Sequence, residues 1–114
     1  IQGPDAEDVL DRILSFDVSG MLVGTGRYGV ICNVEGGIID DCITYRLHDD
    51  MFILVPNAAN TGVVLEWIVR WSRGANLEIT DMTLVMAMVA LQGPDSQLLL
   101  ERLANQNSQK KFPL

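Results

Sequence analysis

The sequence predicts an α+β domain: a mostly antiparallel sheet with helices packed on one side. Three observations support this. A Gly-Pro turn leading into an amphipathic stretch occurs twice, as Ile1-Gln2-Gly3-Pro4-Asp5 and as Leu91-Gln92-Gly93-Pro94-Asp95. Between the copies lie β-rich runs separated by short polar turns, the pattern of an antiparallel meander. After Asn60, apolar residues recur at helical spacing.

The elements follow in order. Pro4 supplies a φ suited to a first helical turn, and Val9, Leu10 and Ile13 then recur as one helical stripe. Tyr28 to Asn33 reads as a strand, Val34-Glu35-Gly36-Gly37 as a hairpin turn whose glycines permit positive φ, and Ile38 to Leu47 as the returning strand. His48-Asp49-Asp50 turns the chain again before Met51 to Val55. Asn60 is placed to cap a helix carrying Val64, Trp67, Ile68 and Trp71, with Arg70 and Arg73 near its negative end and Gly74 stopping it. Asn76 to Thr80 and Thr83 to Leu91 read as two further strands, the second rich in Val and Met and expected to be buried on both faces.

The resulting order is αβββαββα. Val9-Leu10-Asp11-Arg12-Ile13 matches Leu99-Leu100-Glu101-Arg102-Leu103 position by position. This echo is either a reused strand-to-helix turn or a duplicated half-domain with a pseudo-twofold axis, as in ferredoxin-like layers. Both readings put two helices on one side of a sheet.

At 114 residues and 48% hydrophobic content, the chain can build one domain, residues 1–114, with a real core. A net charge of -7 and only eight Lys and Arg, with Lys110-Lys111 the single basic run, disfavour nucleic acid as a partner. No apolar run approaches the roughly 20 residues of a membrane span, so no membrane partner is expected. Cys32 and Cys42 lack zinc-knuckle or redox spacing and read as small apolar side chains on neighbouring strands in a reducing compartment. The start at Ile1 and the stop after a helix-like segment suggest a piece of a longer protein.

Asp40 and Asp41 stand side by side in a strand, so their side chains point to opposite faces. Alternation groups Asp41, Ile43 and Tyr45 on one face, and Asp40, Cys42, Thr44 and Arg46 on the other, which reads as the solvent-leaning one. The first group suits a flat, partly polar ring compound, with Ile43 and Tyr45 packing and Asp41 directing a hydrogen bond; the alternative is an Asp41 that caps a turn or faces water. Asn57, at the start of a small-residue loop, either meets a ligand or satisfies loop backbone. His48 belongs to a solvated hairpin tip, and no Ser-His-Asp set, phosphate cradle or metal-ligand cluster stands out.

Arg27-Tyr28, Cys32-Asn33, Gly36-Gly37-Ile38-Ile39-Asp40-Asp41, Tyr45, Asn57-Ala58-Ala59-Asn60 and Leu91-Gln92-Gly93-Pro94 together strongly resemble the aminomethyltransferase family, the T-protein of the glycine cleavage system. The resemblance implies the folate-binding domain of that family, ferredoxin-like elements included, with this chain as a fragment of the N-terminal folate-binding region. It implies transfer of a methylene group from the aminomethylated lipoyl arm of the H-protein to tetrahydrofolate, with release of ammonia. By motif, Asp41 corresponds to the catalytic carboxylate, Asn57 to a pterin-contacting residue, and Tyr28, Ile43 and Tyr45 to folate-lining positions. The implied cofactor is tetrahydrofolate, the implied partner the lipoylated H-protein, and the implied compartment the cytoplasm, or the mitochondrial matrix in a eukaryote. Pro56, Thr61-Gly62-Val63 and Val23-Gly24-Thr25-Gly26 depart from the family pattern around the pocket.

Two alternatives stay open at this level. One is a folate-dependent demethylase or the folate domain of a dimethylglycine- or sarcosine-type dehydrogenase. The other is a non-catalytic folate-binding or interaction module. An open half-channel would also expose apolar lining and invite self-association of the piece.

Overall fold

Gly3 turns the chain at a φ of 145°, and the first helix, α1 (Ala6–Ile13), follows directly. The computed structural model describes residues 1–103. Only glycine fits at position 3, because a Cβ there would lie 2.5 Å from the carbonyl oxygen of Asn76 and from Leu77 Cα. Ala6, Val9, Leu10 and Ile13 are the buried residues of α1, the i, i+3, i+4, i+7 stripe that the sequence spacing dictates. Glu7 and Asp8 in its first turn and Arg12 in its last complement the helix dipole.

The sheet has three antiparallel strands in the order β1-β2-β3: β1 (Gly26–Cys32), β2 (Ile38–His48) and β3 (Met51–Pro56). Asn33 shapes the first hairpin turn. Its Oδ1 accepts from the backbone N–H groups of Glu35 (3.1 Å) and Gly37 (2.7 Å), while Gly36 takes the positive φ of 83°. The second helix, α2 (Thr61–Trp71), follows a single 3₁₀ turn at Ala58–Asn60 and ends ahead of Gly74, whose φ is 82°. Ala6, Leu10 and Ile13 of α1 and Val64 and Ile68 of α2 pack with Ile31, Cys42 and Phe52 of the three strands in one core. Both helices therefore cover the same face of the sheet.

The described residues form two compact units, Ile1–Asp81 and Met82 onward. In the second, Gly93 has a φ of 125°, Ser96 N–H donates to Gly93 O (3.1 Å), Leu99 N–H donates to Asp95 O (3.0 Å), and α3 (Ser96–Leu103) follows. In the first, Ala6 N–H donates to Gly3 O (3.0 Å) and Val9 N–H to Asp5 O (3.1 Å). The two Gln-Gly-Pro-Asp copies thus build the same turn, and each opens an eight-residue helix.

Three expectations about the secondary structure need correction. Asn76 to Thr80 is not a strand: only Gln2 and Glu78 pair, through Gln2 N–H to Glu78 O (2.9 Å) and Glu78 N–H to Gln2 O (2.7 Å). The ladder cannot extend because the opposing chain turns away at Gly3-Pro4, and proline has no N–H to offer. Thr83 to Leu91 is not a strand either, and it is exposed rather than buried on both faces, with Leu84 at 98% and Val89 at 87%. Its β-forming side chains have no neighbouring strand among the described residues, and propensity alone does not make a ladder. Third, the Asn60 side chain does not cap α2; it reaches back to β2 instead. Lys110-Lys111 lies outside the described residues. No helix among the described residues is long and apolar enough to cross a membrane.

Candidate functional site

The strand register decides which side chains share a face. Tyr28 lies opposite Ile43, Val30 opposite Asp41, Val55 opposite Ile43, and Ile53 opposite Tyr45. These residues form the sheet face turned away from α1 and α2. The ring of Tyr45 lies across Gly26, where a Cβ would come within 2.6 Å of it. Tyr28 is 65% and Tyr45 39% exposed, so the face is open in this unit. Asp41 is its one carboxylate, and both oxygens are engaged: Tyr28 Oη donates to Oδ2 (2.8 Å) and Asn57 Nδ2 to Oδ1 (2.8 Å). That bond to Asp41, more than any other influence, raises the Tyr28 phenol above its ordinary pKa, so the tyrosine remains a proton donor.

The alternation grouped the right residues, but the face expected to lean toward solvent is the buried one. Asp40, Cys42 and Thr44 are buried at 4%, 2% and 0%, and they face the helices. Arg46, expected in solvent, is largely buried as well. It pairs with Glu7 (2.7 Å), donates to the carbonyls of Met21 (3.2 Å) and Asp49 (2.8 Å), and lies 5.3 Å over the Phe52 ring. Polar residues on this face read as solvated because their partners, on α1, β3 and the loops, are remote in sequence.

Asp40 is held by neutral donors. Its Oδ2 accepts from Asn57 N–H (2.8 Å), and its Oδ1 from Asn57 Nδ2 (3.0 Å) and Asn60 Nδ2 (2.8 Å). Burial pushes its pKa upward, but the side chains of Asn57 and Asn60 and the backbone N–H groups of Asn57 and Asp41 outweigh it, leaving the carboxyl below its ordinary value of 3.8. Because the folded value is the lower one, this contribution to stability is complete above the unfolded value and is lost as pH falls through the folded one. Urea unfolding followed from about pH 7 to about pH 2 is therefore expected to lose stability more steeply in the natural chain than in Asp40→Asn. Parallel curves would show that Asp40 contributes nothing by ionising.

Of the residues singled out from sequence, Tyr28, Asp41 and Asn57 form one hydrogen-bonded chain, with Ile43 and Tyr45 beside it on the same face. Val30, Ile53 and Val55 join that face through the register, and Asp40 and Asn60 join the chain from beneath; sequence reasoning assigned none of these five. For Asn60 the signal was its spacing three residues after Asn57, which brings both amides to one side of a helical turn. No group of three or more His, Cys, Asp or Glu among the described residues could hold a metal ion.

An antiparallel sheet with helices on one face, and a fixed carboxylate among aromatic and aliphatic side chains on the other, defines an α+β domain with one open, part-polar face. Across residues 1–114 the chain matches the GCVT N-terminal domain, and it belongs to that family. Among its relatives, the aminomethyltransferase of Corynebacterium jeikeium is 40% identical over 106 residues, 92% of this chain and 27% of that protein. The aminomethyltransferase of Herpetosiphon aurantiacus is 37% identical over 105 residues, 92% of this chain and 29% of that protein. The crystal structure of glycine cleavage system aminomethyltransferase T from Bartonella henselae matches with a TM-score of 0.63 at 32% identity, covering 66% of this chain and 21% of that one. The chain thus spans less than a third of the length of these relatives.

Proposed function

We propose that this chain is part of the N-terminal folate-binding region of a longer, tetrahydrofolate-dependent aminomethyltransferase of the glycine cleavage system. That enzyme takes the methylene of the aminomethyl group on the lipoyl arm of the H-protein, passes it to tetrahydrofolate and releases ammonia. The compartment that goes with this activity is the cytoplasm, or the mitochondrial matrix in a eukaryote. One observation carries the reading: on the uncovered face of the sheet, both oxygens of Asp41 are fixed, by Tyr28 and Asn57.

The residues present suit a reduced pterin. Its ring nitrogens are rich in N–H donors, and the face offers acceptors: the remaining lone pairs of Asp41, and Asn57 Oδ1, which accepts no hydrogen bond among the described residues. Tyr28, Ile43 and Tyr45 supply flat apolar surface beside them. When bound, tetrahydrofolate supplies the amine that receives the one-carbon unit. Asp41, held in one orientation before any ligand arrives, stabilises positive charge developing at the transferred carbon without having to reorganise. Tyr28 and Asn57 hold that carboxylate in place, and positioning of this kind is a large part of the rate of a group transfer.

The test uses the full-length protein with lipoylated H-protein, glycine-derived aminomethyl groups and tetrahydrofolate. Ammonia and methylenetetrahydrofolate are expected in equal amounts, with no product from dimethylglycine or sarcosine. Turnover with methylated amines alone would assign the domain to a demethylase or dehydrogenase. Tetrahydrofolate binding with no turnover on either donor would make it a binding module.

A further inference from the structure

Asp40 and Asp41 point to opposite faces of β2, yet one side chain touches both. Pro56 is the last residue of β3 in register, opposite Cys42, so Asn57 emerges beside Asp41 at the end of the ladder. There its Nδ2 meets three oxygens: Asp40 Oδ1 at 3.0 Å, Asp41 Oδ1 at 2.8 Å and Asp41 O at 3.3 Å. Turning the amide over would set its own oxygen against all three, so its orientation is dictated. Asp40 in turn cannot shift, because Asn60 Nδ2 and Asn57 N–H grip it from the start of the following helix. No Lys or Arg pairs with it among the described residues.

An apolar side chain would fill this buried position without the desolvation penalty of a carboxylate, and buried charges are weak sources of stability. What an apolar side chain could not do is accept several donors at once and fix an amide in an exposed loop. We propose that Asp40 is a positioning residue: with Asn60 it locks the Asn57 amide, and through that amide it sets the orientation of the Asp41 carboxylate on the open face. The burial of Asp40 beneath the face, its pull on the helix start and the doubly engaged Asp41 are parts of one relay running from core to site. Its catalytic consequence rests on the proposed role of Asp41; the relay itself does not.

The test separates the two. In an isotope-labelled sample of the chain, the Asn57 side-chain NH₂ protons are expected to exchange slowly with water. Asp40→Asn and Asn60→Ala are expected to speed that exchange about tenfold or more, as opening becomes local rather than linked to the fold. In the full-length enzyme, Asn60→Ala, which touches nothing on the open face, is expected to lower kcat about tenfold and leave the KM for tetrahydrofolate within about twofold, and Asp40→Asn to lower kcat up to about a hundredfold. The reversed pair, Asp40→Asn with Asn60→Asp, restores an acid beside an amide and is expected to recover part of that loss. Cooperative melting accompanies each measurement, and if Asp40→Asn does not fold, Asn60→Ala decides alone. Unchanged Asn57 exchange in a folded variant would overturn the relay, and wild-type kcat in folded Asn60→Ala would overturn its catalytic consequence. Faster Asn57 exchange together with full activity of Asp41→Asn would leave the relay standing and remove the proposed role of Asp41.

Discussion

Asp41→Asn in the full-length protein is expected to lower turnover on the order of a hundredfold, with tetrahydrofolate affinity kept within about threefold. The substitution is nearly isosteric. Its remaining oxygen can still accept from Asn57 Nδ2, and its new amide can donate to Tyr28 Oη, since a phenol oxygen can accept as well as donate. The site therefore keeps its shape and one acceptor oxygen while losing its negative charge, which places the larger effect on kcat rather than on binding. An internal control comes with it. The Tyr28 phenol is raised chiefly by its bond to Asp41, so spectrophotometric titration of Asp41→Asn should find that phenol moved back toward its ordinary value. Wild-type turnover in a variant that passes this control would reject Asp41 as the reacting carboxylate.

The sequence made the local features legible and left the long-range ones obscure, for reasons visible in particular residues. The Gln-Gly-Pro-Asp echo, the hairpin at Gly36-Gly37 and the α2 stripe each depend on a few neighbouring residues, and each folds as its pattern implies. Strand parity also grouped Asp41 with Ile43 and Tyr45, because period-two alternation is a property of the strand alone. Which face is buried is not such a property. It depends on which side α1 and α2 settle on, and on Glu7, Asn57 and Asn60 satisfying the polar residues there. Thr83 to Leu91 makes the same point in reverse: its composition is that of a central strand, but a strand exists only in a pair. Nothing in the spacing of Asp40 and Asp41 distinguished the acid that is clamped from the acid that is displayed. The helices that cover Asp40, and Asn60, which reaches Asp40 but not Asp41, assign them.

The two faces of the sheet should therefore answer mutation in opposite ways, and Phe52 tests the covered one. Its ring is 0% exposed, packed among α1, α2 and the neighbouring strands with the Arg46 guanidinium 5.3 Å above it, and its N–H donates to Ile1 O at 2.9 Å. Phe52→Ala removes the buried ring and leaves a cavity, which is expected to cost about 3–5 kcal/mol. A unit of 81 residues has roughly 4–12 kcal/mol of stability in total, so this one truncation removes much of it. Urea unfolding followed by fluorescence reads this unit directly, because the only tryptophans, Trp67 and Trp71, both lie on α2. Tyr28→Phe, on the open face, is expected to leave the unfolding midpoint where it was while altering the environment of Asp41. A tolerant Phe52 combined with a destabilising Tyr28→Phe would mean that the open face is the true core, and the assignment of the binding face would have to be reversed.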